Sequence, residues 1–317
     1  MRLVFCGTPQ FAAPTLEALV RAGHDVSLVV TQPDRPKGRG MEVAFSPVKR
    51  KALELALPVL QPAKIKSNHE FRAQLEELNP DAIIVVGYGR IIPQWMIDFP
   101  ALGNLNLHAS LLPKYRGAAP IQWAIARGET VTGNTTMRID AGLDTGDILL
   151  QRELAIEPGD TSVTLAPRLA AMGAELMVET LRGLAAGEVT SRPQDHARAT
   201  LAPILTKEDG AVDFKQTATE IVNRWRGFQP WPGAYTNFRG KKLNLLSVKA
   251  FPGDSALLAP GEIAIHCDTL IAGCGESTVL EIQELQIEGK KRAAARDFIN
   301  GYRPQPGERL GPAPSNS

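Results

Sequence analysis

The alternation of short β-branched runs with longer amphipathic stretches, from residue 1 to about residue 190, constrains the fold of this chain most strongly. Parallel strands connected by helices, the βαβ unit, produce this alternation. Five apolar runs predict strands, at residues 3–6, 26–31, 82–86, 105–108 and 135–139. We therefore expect an α/β fold with a Rossmann-like, mostly parallel sheet in a first domain, residues 1–189.

Two helices of this domain have recognisable sequence signals. Ser46 can cap a helix that begins at Pro47, a position where the missing N–H of proline does no harm. A second helix is expected from about residue 161 to residue 184. Its apolar residues recur every three to five positions, so one helix face can pack on the sheet: Leu165, Leu169, Met172, Leu176 and Leu181.

The rest of the chain predicts a second domain, because 317 residues exceed what one hydrophobic core usually organises. Residues 190–205 are mostly polar and include Pro193 and Pro203, a composition typical of a linker. Over residues 206–317 we expect one helix, at 218–226, and five short strands, at 233–238, 243–250, 262–267, 270–272 and 279–287. Five such strands suggest a small OB-like β-barrel domain.

Composition limits the class of protein. The three cysteines form no CxxC pair, which supports neither a zinc site nor disulfides and suits a reducing compartment. We therefore expect a cytoplasmic protein with no metal. The amino terminus has no apolar run long enough for a signal peptide or a membrane span, so we expect no membrane contact. With a net charge of +1, nucleic acid would have to bind at local basic clusters. We also expect a monomer.

The stretch from residue 104 to residue 117 carries the strongest chemical signal. It leaves a predicted strand and enters a loop. Alternation along that strand places Asn106 and His108 on the same face, at the carboxyl end of the strand, where open α/β sheets bind their ligands. The two side chains can therefore act together.

A second loop, residues 140–147, contains two glycines and offers Asp144 as a partner for His108. Acyl transfer to an amine needs donors for a developing oxyanion and a group that moves protons, and an Asn, a His and an Asp meet those needs. Spacing alone does not bring residues 108 and 144 together. A buried core histidine and a turn-forming aspartate therefore explain these residues equally well.

Several longer motifs resemble a known family. Residues 110–122, Ser-Leu-Leu-Pro-Lys-Tyr-Arg-Gly-Ala-Ala-Pro-Ile-Gln, are similar to the signature of the folate-dependent formyltransferases, and residues 140–147 resemble a second motif of that family. Asn106, His108 and Asp144 fall on the catalytic residues of the family. Residues 5–11, 31–40 and 228–233 resemble the methionyl-tRNA formyltransferases in particular, so the likeness covers nearly the whole chain.

The resemblance implies the substrates and their sites. The formyl donor would be 10-formyltetrahydrofolate, and the acceptor would be the α-amino group of methionyl initiator tRNA, whose formylation serves translation initiation. The pterin would lie near the loops of residues 86–92 and 142–144, with the formyl carbon facing His108. The folate-binding residues implied in this way are Gly87, Ile91, Ser110, Leu111, Leu112, Pro113 and Gly142.

Basic residues in two regions are expected to bind tRNA. Arg35, Lys37 and Arg39 lie in a glycine-rich insertion. Three such charges are more often a solvated surface loop, but the resemblance implies a loop that enters the groove of the tRNA acceptor stem. In the second domain, the residues expected to contact tRNA are Lys207, Lys241, Lys242 and Lys291. That domain carries acidic residues in similar number, so a neutral packing domain remains an alternative.

Three other functions fit parts of the sequence. A dinucleotide-binding oxidoreductase is disfavoured, because Gly7 is followed by Thr-Pro and residues 87–89 lack the third glycine of G-x-G-x-x-G. A sister formyltransferase acting on a sugar nucleotide or on glycinamide ribonucleotide would not explain the insertion or the second domain. A non-catalytic RNA-binding module would leave Asn106, His108 and Asp144 without a role.

Overall fold

A computed structural model describes residues 1–37, 42–252 and 258–311, with the backbone alone for residues 35–37, 42 and 43. The elements in chain order are β1 (Arg2–Gly7), α1 (Ala13–Arg21), β2 (Asp25–Val30), β3 (Arg35–Lys37), β4 (Glu42–Ala44), α2 (Pro47–Glu54), β5 (Val59–Leu60), α3 (His69–Leu78), β6 (Ala82–Val86), α4 (Gln94–Ile97), β7 (Asn104–His108), α5 (Pro120–Ala126), β8 (Val131–Arg138), β9 (Ile148–Ala155), α6 (Ser162–Ala186), α7 (Ala218–Gly227), β10 (Ala234–Phe238), β11 (Lys241–Ala250), β12 (Ile263–His266), β13 (Thr269–Gly273), β14 (Val279–Ile287), β15 (Ala293–Ala294) and α8 (Ala295–Tyr302).

The chain divides into two compact units. Unit 1 contains residues 1–120, 131–155 and 164–203. Unit 2 contains residues 121–130, 156–163 and 204–317. Two short segments from the first half of the sequence thus belong to unit 2.

Unit 1 is built on a seven-stranded sheet with the order β5-β2-β1-β6-β7-β8-β9. The pairs from β5 through β7 are parallel, and β8 and β9 join the edge in antiparallel pairs. All five predicted strands are present, and the expected mostly parallel α/β sheet is confirmed. Strand β9 and the short strands β3, β4 and β5 were not predicted, because their sequences lack a long β-branched run.

Helices cover both faces of this sheet. Along β1, Leu3 and Phe5 point into a core shared with residues of α1, α2 and α6. The alternate residues Val4 and Cys6 point into a second core, shared with Phe71 of α3. Burial on both faces explains why the central strands are continuous apolar runs.

The two predicted helices of unit 1 are confirmed. The Ser46 hydroxyl accepts a hydrogen bond from the Lys49 backbone N–H at 3.1 Å and caps α2, which begins at Pro47. Helix α6 spans Ser162–Ala186 and buries the expected stripe that includes Leu165, Leu169 and Leu181.

Unit 2 contains an antiparallel sheet with the order β10-β11-β14-β13-β12. These are the five predicted strands, and α7 is the predicted helix at 218–226. Helix α7 begins with a capping box, in which the Thr217 side chain accepts from the Glu220 backbone N–H and the Glu220 side chain accepts from the Thr217 backbone N–H. Closure of the strands into an OB-like barrel stays a prediction.

Three features of unit 2 were not predicted. Strand β15 pairs with β14. Helix α8 packs Phe298 edge-on against Phe238, with ring centroids 5.1 Å apart. Trp123 of α5, a helix from the first half of the chain, packs edge-on against Phe228 at 5.2 Å.

We expected residues 190–203 to form part of a linker. Instead, backbone hydrogen bonds attach this segment to the rest of unit 1. Arg192 and Ile148 exchange two backbone hydrogen bonds of 2.8 Å. The Ala202 N–H donates to the Arg116 carbonyl at 2.7 Å, and the Arg116 N–H donates to the Thr200 carbonyl at 2.9 Å. The predicted division into residues 1–189, 190–205 and 206–317 stays a prediction.

Within the described parts of the chain, the longest apolar helices still fall short of what is needed to cross a membrane.

Candidate active site

His108 ends strand β7 near the middle of the unit 1 sheet, with Thr135 of β8 as its neighbour in register. The side chain is buried, with a relative exposure of 6%. Its Nε2 atom lies 2.8 Å from the Tyr115 carbonyl oxygen. Because a carbonyl can only accept, Nε2 carries a hydrogen, and Nδ1 is the ring nitrogen left for another group.

Asp144 meets His108 from the loop that connects β8 to β9. Its Oδ2 atom lies 3.6 Å from His108 Nδ1, and the same oxygen accepts a hydrogen bond from the Gly117 N–H at 2.8 Å. Asp144 itself has φ +51°, in the left-handed region that aspartate tolerates better than most residues. The structure therefore brings together residues 108 and 144, which sequence spacing could not join.

Asn106 lies two residues before His108 on β7 and is half-buried. Among the residues that the structure describes, its side-chain amide has no hydrogen-bond partner, whereas Asn104 on the same strand donates to the Met96 carbonyl at 2.6 Å. The Asn106 amide is thus free to donate to a ligand oxygen.

The loop after His108 is held by two side chains of neighbouring strands. The Thr135 hydroxyl donates to the Ser110 carbonyl at 2.6 Å and accepts from the Leu112 N–H at 3.1 Å. The Gln151 amide donates to the Leu112 carbonyl at 2.9 Å. These bonds fix the loop that joins strand β7 to Tyr115.

The four residues of this loop that we expected to bind folate differ in how they are used. The Ser110 hydroxyl is fully buried and donates to the Lys114 carbonyl at 2.6 Å. Leu112 is buried in a small cluster with Met137 and Ile148. Leu111 and Pro113 are half-buried, so a ligand at this loop can meet those two side chains or the backbone.

Two further loops expected at the folate site expose apolar side chains. Ile91 is 91% exposed and Leu143 is 63% exposed. Gly142 precedes Leu143, and a Cβ there would lie 2.0 Å from the Thr145 hydroxyl oxygen, so the loop requires glycine. Gly87 has φ +55°, which starts the turn that leads to Ile91.

Two buried groups of unit 1, Cys6 and Tyr88, do not offer a nucleophile. Burial raises the pKa of the Cys6 thiol far above its ordinary range, and burial likewise raises the pKa of the Tyr88 phenol. Both groups are therefore neutral at cellular pH. Among the described residues, no cluster of His, Cys, Asp or Glu could hold a metal ion.

The basic insertion is only partly described. Arg39 lies outside the described residues, and Arg35 and Lys37 lie on strand β3, which pairs with β4 in a short hairpin.

The base of this hairpin is well anchored. Lys49 bonds Asp34 and also donates to the Gln61 amide oxygen at 2.7 Å, and the Thr31 and Ser46 hydroxyls lie 2.9 Å apart. Partial burial acts to raise the pKa of Asp34, but hydrogen bonds from Lys49 and Gln61 and the charge of Lys49 outweigh it and lower that pKa.

The lysines of unit 2 are at or near the surface. Lys207, Lys241 and Lys291 are exposed, and the Lys242 ammonium lies 3.9 Å from the centre of the Tyr235 ring. Two other basic residues near them are ion-paired, Lys249 with Glu281 at 3.2 Å and Arg292 with Glu284.

Sequence reasoning missed three polar residues that hold the site: Arg116, Gln151 and Gln194. Arg116 lies inside the motif of residues 110–122, which could have drawn attention to it. Gln151 and Gln194 lie in segments without a motif.

Comparison with known proteins identifies the family. The family model described as formyl transferase matches residues 1–181, and the model described as formyl transferase, C-terminal domain, matches residues 204–303. The chain belongs to the formyl transferase family. The resemblance found in the sequence is thereby confirmed, and this formyltransferase carries both domains of the family.

Relatives narrow the group within the family. The methionyl-tRNA formyltransferase of Koribacter versatilis is 67% identical over 98% of this chain and 99% of the relative. That of Acidobacterium capsulatum is 65% identical over 98% of this chain and 100% of the relative.

Solved structures also match at the level of the fold. An N-formyltransferase from Helicobacter canadensis, in complex with folinic acid and dTDP-3-aminofucose, is 17% identical, with a TM-score of 0.65 over 88% of this chain and 98% of that chain. At this identity the likeness concerns the fold alone.

Proposed function

We propose that this formyltransferase moves the formyl group of 10-formyltetrahydrofolate onto the α-amino group of methionyl initiator tRNA. The observation that carries the proposal is the approach of Asp144 Oδ2 to His108 Nδ1, 3.6 Å, beside the free amide of Asn106. The acceptor is inferred from the relatives, because two methionyl-tRNA formyltransferases are 67% and 65% identical over nearly the whole chain. A sister enzyme acting on a sugar nucleotide or on glycinamide ribonucleotide is the weaker alternative.

The reaction forms a bond between the methionyl nitrogen and the formyl carbon and breaks the bond between that carbon and the folate nitrogen. One proton leaves the amine, and one reaches the folate nitrogen. A free α-amine has a pKa of about 7.7 to 8.0, so a useful fraction is neutral at cellular pH. The amine can therefore attack without a strong base.

Asn106, His108 and Asp144 each have a role in this step. The Asn106 amide donates to the oxyanion that develops on the formyl oxygen. His108, whose Nε2 atom is held by the Tyr115 carbonyl, is the second polar side chain facing the formyl group. Its Nδ1 atom can take a proton. Asp144 faces Nδ1 and stabilises the imidazole when it is charged.

The folate is a substrate, and the proposed site fits it. Ile91 and Leu143 offer exposed apolar surface for the flat pterin, and Gly87 and Gly142 let the backbone come close to the ring. Leu111 and Pro113 would border the ligand, while Ser110 and Leu112 would shape the loop from within.

We also propose how tRNA is held. Residues 1–189 would form the catalytic domain, and residues 206–317 would form an OB-like domain that binds tRNA, with residues 190–205 between them. Arg35, Lys37 and Arg39 would meet the acceptor stem. Lys207, Lys241, Lys242 and Lys291 would contact phosphates. The enzyme would work as a cytoplasmic monomer.

The acceptor can be tested with the purified enzyme and 10-formyltetrahydrofolate. We expect formyl transfer to initiator methionyl-tRNA, and no transfer to elongator methionyl-tRNA, to an amino-sugar nucleotide or to glycinamide ribonucleotide. If the amino-sugar nucleotide is formylated and the tRNA is not, the acceptor assignment is wrong.

The tRNA contacts can be tested through the salt dependence of kcat/KM. A plot of log kcat/KM against log salt concentration has a negative slope, and replacing the exposed Lys291 by Ala should reduce the size of that slope by about one. Lys249→Ala is the matched control, because Lys249 is already paired with Glu281 and should change the slope less. Equal slopes for wild type and Lys291→Ala would remove Lys291 from the tRNA contact.

A further inference from the structure

A buried polar network lies behind the loop that carries Asp144. Its two central side chains are Arg116, with 7% relative exposure, and Gln194, with 5%. Both belong to unit 1, although Gln194 comes from the polar segment that we expected to be a linker. Polar side chains buried this deeply must be hydrogen-bonded, so their partners show what they hold.

The orientation of the Gln194 amide is fixed by Arg116. A guanidinium can only donate, and its Nε and Nη2 atoms lie 3.1 and 2.6 Å from Gln194 Oε1. The amide nitrogen therefore points the other way. It donates to the Asp144 carbonyl at 2.9 Å and to the Gly146 carbonyl at 2.7 Å.

Gln194 thus holds the backbone of the Asp144 loop at two carbonyls, one of them on Asp144 itself. Asp144 has a left-handed backbone, with φ +51°, that needs support from its surroundings. The Asp144 carboxylate is held separately, by the Gly117 N–H at 2.8 Å. The backbone of Asp144 is therefore held by Gln194, which Arg116 orients, and the carboxylate of Asp144 is held by Gly117.

Arg116 is itself rigidly placed. Its backbone bonds Thr200 and Ala202 in both directions, at 2.9 and 2.7 Å. Its Nη2 atom also lies 3.1 Å from Nδ1 of His196. Since Arg116 can only donate, that nitrogen of His196 is the acceptor. Arg116 is thus held through both its backbone and its side chain, and a buried hydrogen-bond network of this kind is stiff.

We propose that Gln194 is a positioning residue for formyl transfer, which keeps the Asp144 carboxylate facing His108 by binding the carbonyls of Asp144 and Gly146. Gln194 does not reach His108 or the reacting atoms, and it acts through Asp144. The inference rests on the proposed role of Asp144.

The substitution Gln194→Glu tests this with almost no change in size. Glutamate keeps an oxygen for Arg116 but turns a second oxygen, rather than two N–H donors, towards the two carbonyls. The loop must then move, and a displacement of about 1 Å at a reacting group can cost about 100-fold in rate. We expect kcat to fall by about that factor, with little change in KM for tRNA. Gln74→Glu, at an exposed glutamine of α3, should leave kcat unchanged.

A double variant separates positioning from general damage. If Gln194 acts through Asp144, then Asp144→Asn combined with Gln194→Glu should be no slower than Asp144→Asn alone. If the two losses multiply, or if Gln194→Glu keeps the wild-type kcat, the inference is wrong. Should the glutamate variant fail to fold, Gln194→Met removes the same donors without adding charge, and the same two outcomes apply.

The wild-type enzyme decides which proposal has failed. If wild type does not formylate methionyl-tRNA, the proposed function falls, and this inference falls with it. If wild type is active and the losses multiply, only the role of Gln194 is overturned.

Discussion

His108 Nδ1 and Asp144 Oδ2 lie 3.6 Å apart, within the range of an ion pair but beyond hydrogen-bond distance. The other ring nitrogen, Nε2, is held by the Tyr115 carbonyl at 2.8 Å. The ring therefore cannot turn freely, and a proton taken up on Nδ1 would face a carboxylate. This relationship gives Asp144 a function that depends on its charge.

Replacing Asp144 by Asn tests that charge. The amide oxygen can still accept from the Gly117 N–H, so the loop should keep its position. Without the negative charge, we expect kcat to fall by about 100- to 10,000-fold, the range for a group that supports proton transfer. Single-turnover formyl transfer measures this, with Asp98→Asn, an exposed aspartate, as the control. A change of less than about threefold would show that orientation, rather than charge, is what matters.

Two asparagines on β7 give a matched pair. Asn106→Ala should reduce kcat by about 100- to 1,000-fold, because it removes one oxyanion donor, and should leave the free energy of unfolding nearly unchanged. Asn104→Ala should leave kcat nearly unchanged and should reduce the free energy of unfolding. Asn104 is buried and bonds the Met96 and Ile97 carbonyls at 2.6 and 3.2 Å, so its loss should cost about 1 to 3 kcal/mol of stability.

Activity and urea unfolding of both asparagine variants distinguish these roles. A loss of less than about tenfold in kcat for Asn106→Ala would remove that residue from the reaction.

Part of this site could be predicted from the sequence. Asn106 and His108 follow from strand alternation, which is a local property. The approach of Asp144 to His108 does not follow, because it depends on β8 lying beside β7 and on the fold of the loop between β8 and β9. Strand order is set by contacts distant in sequence, and periodicity carries no information about it.

The same reason explains two features of the fold that were missed. Trp123 of α5 packs against Phe228, more than 100 residues later, so nothing local shows that this helix belongs to unit 2. Gln194 sits in a polar stretch with two prolines nearby, and such composition is typical of a linker. Its burial depends on Arg116, again far away in the sequence.

The anchor of the basic hairpin is open to a separate test. The ion pair between Asp34 and Lys49 is largely buried, with side chains that are 17% and 15% exposed. The substitution Asp34→Asn removes this ion pair. We expect KM for tRNA to rise while KM for folate stays unchanged, because the hairpin that carries Arg35 and Lys37 begins at this point. Steady-state kinetics with each substrate varied in turn measure this. A rise in KM for folate instead would contradict the assignment.

The pH dependence of that variant has a definite sign. Because the pKa of Asp34 is lowered in the folded protein, its contribution to stability is present above about pH 4, the ordinary range of an unfolded aspartate. It is lost as pH falls through the lower native pKa. Wild type should thus be more stable than Asp34→Asn at pH 7, by about 2 kcal/mol, and the difference should shrink below pH 4. A difference that grows on acidification would contradict this.

The capping box of α7 predicts an effect on stability alone. Thr217 accepts from the Glu220 N–H, and hydrogen bonds from the Thr217 backbone and side chain lower the pKa of Glu220. Thr217→Ala should reduce the free energy of unfolding by about 1 kcal/mol. Thermal unfolding measures this, with Thr217→Ser as the variant that keeps the cap. If both variants lose the same stability, the cap is not the cause.

The most direct test of the catalytic assignment is single-turnover formyl transfer from 10-formyltetrahydrofolate to initiator methionyl-tRNA, comparing wild type, His108→Ala and the exposed-site control His69→Ala. We predict that His108→Ala slows the chemical step by about 100- to 10,000-fold, that both substrates still bind, and that His69→Ala matches wild type. Transfer by His108→Ala at nearly the wild-type rate would contradict the account.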